Sequence, residues 1–552
     1  MKNNIRISFI FILVLVLGAF HAISQNVEKQ LYPKLFTDRD YCISGDTVWF
    51  KVWLPTSAEN YGNILRVQLI SKNNNLISGV AAQSFNGWAE GFIAVPDSLS
   101  TGQYFATAFL NSQRNIEGLE LEAKSLLVYN RFAENITEME IFQPNEVYQK
   151  SGNQVFNVNT HKEKYLPGEK VEVNIELKQE IEFKWLAVKA TLIDPFAAEI
   201  KGKYKFKVES LNPNIPDFPE NDGLLLSGKV TDISGNLQSN AVVTLSAGEV
   251  QPYFDYYVLG ENGDFHFFLK NAFGKADMVL QVVSKNNKEY FIQLENNFLL
   301  QKNLIDGQII ILKQEQVEFI NTAIKANFAH RLFNPSLTVQ PEIFEMSSRF
   351  SMPFYGQPTI HVIPDEFIDL PDFREIAREI LPGFQYRVKN DEITFRMLNS
   401  NQKLYFEEEP LRLINGIPVF NNDLFTNLKS TDISYIDLVQ SERIFGDLIL
   451  KGVLEVSLTD KSNSWMAEQP NIFQFNVSFL QPGRKPGYFF QQNLNKNQPD
   501  MRQVYYWELL DVDSLENIEF NLSDRKGKIE ISVEGFTRNN EFFQSSKTIK
   551  VK

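Results

Sequence analysis

The sequence contains a single cysteine, Cys42, among its 552 residues. One thiol cannot form a disulfide within the chain, so stability has to come from packed apolar cores. Cys42 lies between Tyr41 and Ile43, which favours a small buried filler. A reactive or dimerising thiol is the alternative that the sequence leaves open.

Recognisable catalytic machinery is also missing. The five histidines include no HExxH or i, i+4 pair that would anchor a catalytic zinc ion. There is no Gly-x-Ser-x-Gly elbow, no glycine-rich phosphate loop and no Gly-Cys-Gly-Glu-Gln thioester motif. Ser-x-x-Lys spacings occur at Ser400 and Ser523, but neither serine is placed at a predicted helix start. We therefore predict no enzymatic activity and no cofactor.

Basic residues are outnumbered, 54 Lys and Arg against 68 Asp and Glu, and the net charge is −14. Without a basic cluster nothing neutralises phosphates, so a nucleic-acid partner is not expected. Two acidic groups invite a calcium hypothesis, although neither has the frame of an EF-hand. They are Asp511, Asp513 and Glu516, and Asp38 with Asp40. Solvated turn carboxylates are the simpler interpretation of both.

Long apolar runs are confined to the N-terminus, where Ile7 to Phe20 follows Lys2 and Arg6. This pattern predicts a secretory signal peptide over residues 1–24, cleaved after Ser24. We expect no transmembrane segment in the mature chain, because no later run approaches about 20 apolar residues. The expected location is outside the cytoplasm, in the periplasm or associated with the outer membrane.

Aromatic residues are plentiful, with 46 Phe, 19 Tyr and 6 Trp, and one stretch occurs twice. TDRDYCISGDTVWFKVWL begins at Thr37 and aligns without a gap to THKEKYLPGEKVEVNIEL at Thr160. In both, a Gly-acid turn precedes strict apolar alternation, which predicts a half-buried β-strand. The core-facing residues are Val48, Phe50, Val52 and Leu54 in the first copy, and Val171, Val173, Ile175 and Leu177 in the second.

Trp49 and Trp53 point away from that core if the alternation holds, whereas the second copy has Glu172 and Glu176 there. Outward aromatic residues suggest a contact surface. We hypothesise that Trp49 and Trp53 form a partner-binding or inter-domain surface. Packing against a neighbouring domain or a covering loop is the more conservative form of this hypothesis.

The rest of the chain alternates between strand patterns and a few helical ones. Gln314 to Leu332 predicts a connector helix whose apolar face includes Ile320 and Phe328. Phe373 to Leu381 predicts a short helix with Asp372 as its cap. Strands around Asn390-Asp391 follow it, so this block is expected to be α+β.

The two copies resemble the macroglobulin β-sandwich of the alpha-2-macroglobulin superfamily. Its signature corresponds in the first copy to Thr37, Asp38, Arg39, Gly45, Asp46 and Val48, and in the second to Thr160, Lys162, Tyr165, Pro167, Gly168, Glu169 and Val171. The first copy departs from it with Cys42 at the aromatic position and Ser44 at the proline position. SGKVTDISGNLQSNAVVTLS resembles a carboxypeptidase-regulatory-like domain. FREIAREILPGFQYRVKNDEITFRML and PLRLINGIPV resemble a degenerate TonB-dependent receptor plug. Together the modules resemble large exported proteins of Bacteroidetes-type bacteria.

The resemblance implies a mainly β chain of tandem immunoglobulin-like or macroglobulin β-sandwiches, with one α+β plug-like module and a short helical connector. The expected order is a signal peptide (1–24), two macroglobulin-like sandwiches (25–133 and 150–222), a regulatory-like β-domain (223–302), a helical connector and linker (303–364), a plug-like domain (365–462) and a C-terminal sandwich (470–552).

The function expected from these modules is a non-catalytic binding or scaffold protein of the cell envelope. Its partner would be another envelope protein, with an outer-membrane β-barrel as one choice. A macroglobulin-like endopeptidase inhibitor without a thioester is one alternative, with Asn212 to Asp222 or Phe350 to Pro371 as its bait loop. An accessory protein of TonB-dependent uptake is the other. Too few residues follow the plug-like block for a transporter barrel.

Overall fold

The computed structural model describes residues 32–552 apart from a set of short gaps. The gaps are 56–57, 59–61, 74, 116–119, 145, 148–154, 179–180, 201, 208–218, 222, 249–252, 284–288, 299–306, 334–352, 483–497, 511–514, 516–517 and 538–541. The predicted signal peptide and the Ser24 cleavage site therefore lie outside the described residues. The chain is mainly β, as the sequence predicts.

Two compact units divide the chain. The first comprises Met1–Asn221, Asn296–Glu342 and Leu480–Lys552, and the second comprises Asp222–Glu295 and Ile343–Phe479. Each unit is therefore built from segments that are distant in sequence.

The first unit contains twenty of the described strands and two α-helices. Its elements are β1 (Lys34–Thr37), β2 (Tyr41–Ile43), β3 (Thr47–Trp53), β4 (Ile64–Ile70), β5 (Leu76–Gln83), β6 (Trp88–Ala94), β7 (Gly102–Leu110), β8 (Glu120–Tyr129), β9 (Glu138–Ile141), β10 (Glu146–Val147), β11 (Phe156–Thr160), β12 (Lys164–Tyr165), β13 (Lys170–Leu177), β14 (Phe183–Leu192), α1 (Pro195–Glu199), β15 (Gly202–Lys207), β22 (Gln308–Ile311), α2 (Gln314–Phe333), β32 (Val504–Leu510), β33 (Ile518–Asn521), β34 (Gly527–Thr537) and β35 (Phe542–Val551).

The first sandwich packs the sheet β1-β3-β6 against the sheet β10-β15-β8-β7-β4-β5, with β2 beside β8. Val48, Phe50 and Val52 enter its core as the alternation predicts. Gly45 makes the preceding turn with φ +81°, in the left-handed region that glycine adopts without a steric penalty. Residues 202–207 also belong here, because β15 pairs with β8.

The second sandwich packs β11-β13-β33 against β12-β35-β34-β14-β32. The sequence-based boundaries treated 150–222 and 470–552 as separate sandwiches, whereas the structure pairs their strands. Lys170 of β13 lies opposite Asn521 of β33, and Val188 of β14 lies opposite Val533 of β34. Strands β11 to β14 leave edges and a core face open, and strands β32 to β35 cover them.

Helix α2 packs on the first unit through the predicted face, except at Phe328. Ile320 and Ala323 are buried against Tyr41 and Tyr129, but Phe328 is exposed. The small side chains of Ala323 and Ala326 take the inner positions, and this leaves the bulky ring outside.

The second unit contains the other fifteen described strands and one α-helix. Its elements are β16 (Leu224–Asp232), β17 (Val242–Ala247), β18 (Tyr253–Val258), β19 (Asp264–Leu269), β20 (Lys275–Val283), β21 (Tyr290–Leu294), β23 (Ile360–Val362), α3 (Phe373–Glu379), β24 (Phe384–Lys389), β25 (Glu392–Asn399), β26 (Leu404–Tyr405), β27 (Leu411–Ile414), β28 (Ile417–Pro418), β29 (Ile433–Phe445), β30 (Leu448–Leu458) and β31 (Ile472–Ser478).

Four sheets organise this unit: β19-β16-β21, β18-β17-β20-β31, β23-β29-β30-β27-β28 and β24-β25-β26. The predicted α+β block is present, and α3 begins where its cap predicts. The Asp372 side chain accepts a hydrogen bond from the Glu375 backbone N–H, which satisfies a donor of the first helical turn. Strand β31 pairs with β20, so residues 472–478 belong to this unit.

No α-helix among the described residues is long and apolar enough to span a membrane.

Candidate interaction surfaces

Trp49 and Trp53 are buried, each with 3% of its surface exposed. They point away from the core of the first sandwich, as the alternation predicts, and yet they do not reach solvent. They join a second apolar cluster that includes Trp185 and Phe536 of the second sandwich. The inter-domain form of the Trp49/Trp53 hypothesis therefore fits this structure, whereas a freely exposed partner surface does not.

The rings of this cluster, which we call the tryptophan junction, interlock across the two sandwiches. Trp53 stacks on Phe536 with centroids 5.3 Å apart. Trp185 meets Trp88 edge-on at 4.9 Å and Phe36 edge-on at 4.9 Å. Edge-to-face and offset ring pairs add stabilisation beyond the burial of area. The tryptophan junction consists of Phe36, Trp49, Trp53, Trp88, Phe92, Trp185, Ala187, Val504, Trp507 and Phe536.

Strand register explains why these rings converge. In the β3–β6 ladder, Trp53 lies opposite Trp88 and Trp49 opposite Phe92, so four aromatic side chains share one face of the sheet. Between them Lys51 extends over the Trp507 ring, with its Nζ 5.0 Å from the ring centroid. The outer face of β3 is thus a complementary surface for the second sandwich.

Polar contacts reinforce the same junction. Asp40 faces Lys189 of β14 at 3.3 Å and Lys124 of β8 at 3.6 Å. The guanidinium of Arg525 donates a hydrogen bond to the Tyr41 hydroxyl at 3.2 Å. Asp40 therefore connects the two sandwiches. Its carboxylate, one of those in the calcium hypothesis, is paired with two lysines.

Asp38 has a structural role in the same stretch. It is fully buried, and one of its oxygens accepts a hydrogen bond from the Trp49 backbone N–H at 3.1 Å. Burial raises the pKa of Asp38 above its ordinary value, and the adjacent Arg39 guanidinium opposes that rise. The Thr-Asp-Arg segment thus supports the strand that carries the tryptophans.

Asp46 connects the repeated turn to helix α2. Its carboxylate accepts hydrogen bonds from the Asn327 side chain at 2.6 Å and from Arg331 at 3.3 Å, and lies 3.8 Å from Arg39. His330, next to Arg331, is half-buried, and its buried Nδ1 has no hydrogen-bond partner among the described residues. Burial lowers the pKa of His330.

Cys42 has no exposed surface and lies in the core of the first sandwich. Burial raises the pKa of its thiol well above the ordinary value, so the reactive thiolate is disfavoured. This environment fits the apolar-filler interpretation. Of the proposed bait loops, Phe350–Pro371 is described from Pro353 onward and Asn212–Asp222 only at 219–221.

The two serines with a Lys three residues later take part in backbone support. Ser523 is fully buried and donates to the Arg502 carbonyl at 3.0 Å. Ser400 donates to the Gln440 carbonyl at 2.9 Å. Among the described residues, no group of three His, Cys, Asp or Glu side chains is arranged to hold a metal ion. Asp511, Asp513 and Glu516 lie outside those residues.

One exposed apolar surface was not identified from the sequence. Ile444 and Ile449 form a cross-strand pair near the tip of the β29–β30 hairpin, with 78% and 54% of their surfaces exposed. A hairpin signal was visible in SERIFGDLILK, where Gly446-Asp447 separates two apolar runs. Alternation alone does not say which face of such a hairpin is covered.

Comparisons with known proteins give no family assignment. No family model matches the chain, and a search of curated proteins finds no match. Similar solved structures include trypsin-activated alpha-2-macroglobulin from Escherichia coli, at 9% identity and a TM-score of 0.22 over 94% of this chain and 41% of that chain. A Salmonella alpha-2-macroglobulin mutant matches at 11% identity and a TM-score of 0.21 over 94% and 39%.

Latent PorU from Porphyromonas gingivalis matches at 9% identity and a TM-score of 0.15, over 48% of this chain and 33% of that chain. The chain spans about two fifths of the length of the bacterial macroglobulins that it is similar to. Likenesses at these TM-scores assign no function to this chain.

Proposed function

We propose that this chain is a non-catalytic binding or scaffold protein of the cell envelope. The tryptophan junction is the observation that carries this proposal. A scaffold has to hold its modules in a fixed relation, and the burial of Trp49, Trp53 and Trp185 between two sandwiches supplies such rigidity.

The roles of the chemically active side chains support the same proposal. Cys42 fills a core, and Ser523 and Ser400 satisfy backbone carbonyls. Of the acidic residues in the repeated stretch, Asp38 supports a strand and Asp46 binds helix α2. Groups that serve the fold in this way are not free to act as nucleophile or base.

The partner that we propose is another protein of the envelope, with an outer-membrane β-barrel as the leading choice. The plug-like resemblance in residues 365–462 suggests this class, and a role as an accessory of TonB-dependent uptake would follow from it. Crosslinking in the intact envelope tests the proposal. Recovery of the chain only as an uncrosslinked species, under conditions that crosslink known envelope complexes, would contradict it.

A macroglobulin-like inhibitor is the competing function, and it rests on the resemblance of the two repeated stretches. Incubation of the mature protein with several endopeptidases distinguishes the scaffold function from the inhibitor function. A binding scaffold is expected to be cut progressively in its linkers without retaining the protease. A single cut, followed by a protease that stays bound and shielded from large substrates, would favour the inhibitor.

A further inference from the structure

The β29–β30 hairpin of the second unit changes face part-way along its length. Val439 lies opposite Val453, but the next pair is Glu442 with Lys451, so two residues of β29 oppose Gly452 alone. Gly452 has φ +93°, and a Cβ there would lie 2.8 Å from the Val439 carbonyl oxygen. This β-bulge reorients the distal hairpin, because a bulge shifts the alternation of the residues beyond it.

One face of the distal hairpin is firmly held. The Phe445 ring lies 5.4 Å from Phe254 and 5.8 Å from Phe354. At the tip, the backbone N–H of Asp447 donates to the Tyr256 hydroxyl at 2.8 Å. These contacts fix the hairpin, so its opposite face is presented without an ordering cost on binding.

That opposite face is what we call the hairpin patch: Glu442, Ile444, Ile449 and Lys451. Ile444 is among the most exposed large apolar residues of the described chain, and Ile449 has about half of its surface exposed. Fixed, exposed apolar side chains at the end of a ribbon are typical of contact sites.

The surroundings of the hairpin patch are acidic. Lys451 donates to Glu442 at 2.5 Å, so this lysine is already paired. The hydrogen bond to Glu442 raises the pKa of Lys451, and the charge of Glu408 contributes to the rise. Asp447 is exposed at the tip. The three carboxylates outnumber the single lysine, which favours a basic partner.

An edge of the sheet is open beside the patch. In the described part of the chain, β30 pairs with β27 only from Val453 onward, so the outer edge of Leu448–Gly452 has no strand beside it. Such an edge can accept an extended segment, with alternate side chains selecting the sequence.

We propose that the hairpin patch docks an extended segment of another protein, added as a strand along the outer edge of β30. Its apolar and basic residues would occupy every second position in turn, so that both kinds lie on the face of the patch. The apolar residues would contact Ile449 and Ile444, and the basic residues would face Glu408, Glu442 and Asp447. This inference rests on the proposed binding function and specifies the chemistry of the partner.

Two labelled peptides test it, titrated into the full mature protein by fluorescence anisotropy. The Leu-Lys peptide repeats Leu-Ser-Lys-Ser and the Leu-Glu peptide repeats Leu-Ser-Glu-Ser, so that leucine and the charged residue lie on one face of the added strand. The Leu-Lys peptide is expected to bind, and I444T/I449T is expected to weaken it by about tenfold or more, since exposed apolar anchors dominate such contacts. I309T/I311T is the matched control, because Ile309 and Ile311 are an exposed pair in the first unit. It should bind as the unsubstituted protein does.

Glu408→Gln should weaken the Leu-Lys peptide by a few-fold and reduce the salt dependence of binding, because it removes one attractive charge. Equal binding of the Leu-Lys peptide to I444T/I449T, or equal binding of the two peptides to the unsubstituted protein, would overturn the hairpin proposal. Neither result contradicts the proposed scaffold function. That function would be contradicted by enzymatic turnover, by a bound and shielded protease, or by the absence of envelope partners.

Discussion

The two copies of the repeated stretch build the same strand and use its outer face differently. Strand β3 presents Trp49 and Trp53 to a second sandwich, whereas β13 presents Glu172 and Glu176 to solvent. Their inner faces both bury valines in a sandwich core. The inner face therefore determines the fold, and the outer face determines whether that side of the sandwich is an interface.

The largest difference between the copies should appear when equivalent outer positions are truncated. Trp53→Ala removes a ring stacked on Phe536 and leaves a cavity, so it should lower the free energy of unfolding of the first unit by about 3–5 kcal/mol. Glu176→Ala, at the equivalent position of β13, should change it little. Chemical denaturation of the two variants measures both effects, and equal losses would contradict the comparison.

Ion pairs should show a smaller contrast of the same kind. Arg66 of the first sandwich binds Glu220 at 2.6 Å with both side chains buried, whereas Lys170 of the second binds Glu519 at 2.7 Å in an exposed position. Glu220→Gln leaves the buried Arg66 guanidinium without its counter-charge, so it should lower the free energy of unfolding by about 3 kcal/mol. Glu519→Gln should leave the melting temperature nearly unchanged. A similar melting temperature for both variants would contradict the expected difference between the buried and the exposed ion pair.

Helix α2, which contacts the turn of the first copy through Asp46, carries a histidine that should make stability depend on pH. Burial lowers the pKa of His330, so the unfolded chain binds the proton more readily than the folded one. Stability should therefore fall as the pH decreases below about 6.5, the ordinary histidine value. His330→Gln should reduce this loss, measured as melting temperature against pH, and the same substitution at the exposed His161 serves as the control. If the melting temperature of His330→Gln depends on pH as that of the unsubstituted protein does, His330 is not the source of the acid sensitivity.

The smallest effect concerns Cys42, whose position in the first copy corresponds to Tyr165 in the second. The thiol is fully buried and its pKa is raised, so alkylation by iodoacetamide should be negligible in the native protein and complete in denaturant. Mass spectrometry of both samples measures this. Rapid labelling of the native protein would restore the reactive-thiol interpretation.

Local patterns predicted local structure well. The Gly45 turn, the alternation of β3 and β13, and the Asp372 cap of α3 all occur where the sequence places them. Each depends on neighbouring residues only: a left-handed turn position, a period of two, or a side chain that reaches its own helix.

Long-range pairing was the part that the sequence did not reveal. Strand β33 completes the sheet of β13 from the far end of the chain, and alternation in either strand carries no information about its partner. For the same reason, Trp49 and Trp53 could be placed on an outer face, but Trp185 and Phe536 could not be matched to them. In helix α2, the exposure of Phe328 depends on which neighbours the helix meets, and the helical period alone gave the wrong inner residue.

The most direct test of the central claim, that the tryptophan junction makes the two sandwiches one rigid body, is hydrogen exchange followed by mass spectrometry. Peptides from β4 of the first sandwich and β34 of the second are compared in the unsubstituted protein and in Trp185→Ala. Equal opening free energies are expected for the two sandwiches in the unsubstituted protein and clearly different ones in the variant, because the sandwiches then open separately. Different values in the unsubstituted protein, or no change in Trp185→Ala, would contradict it.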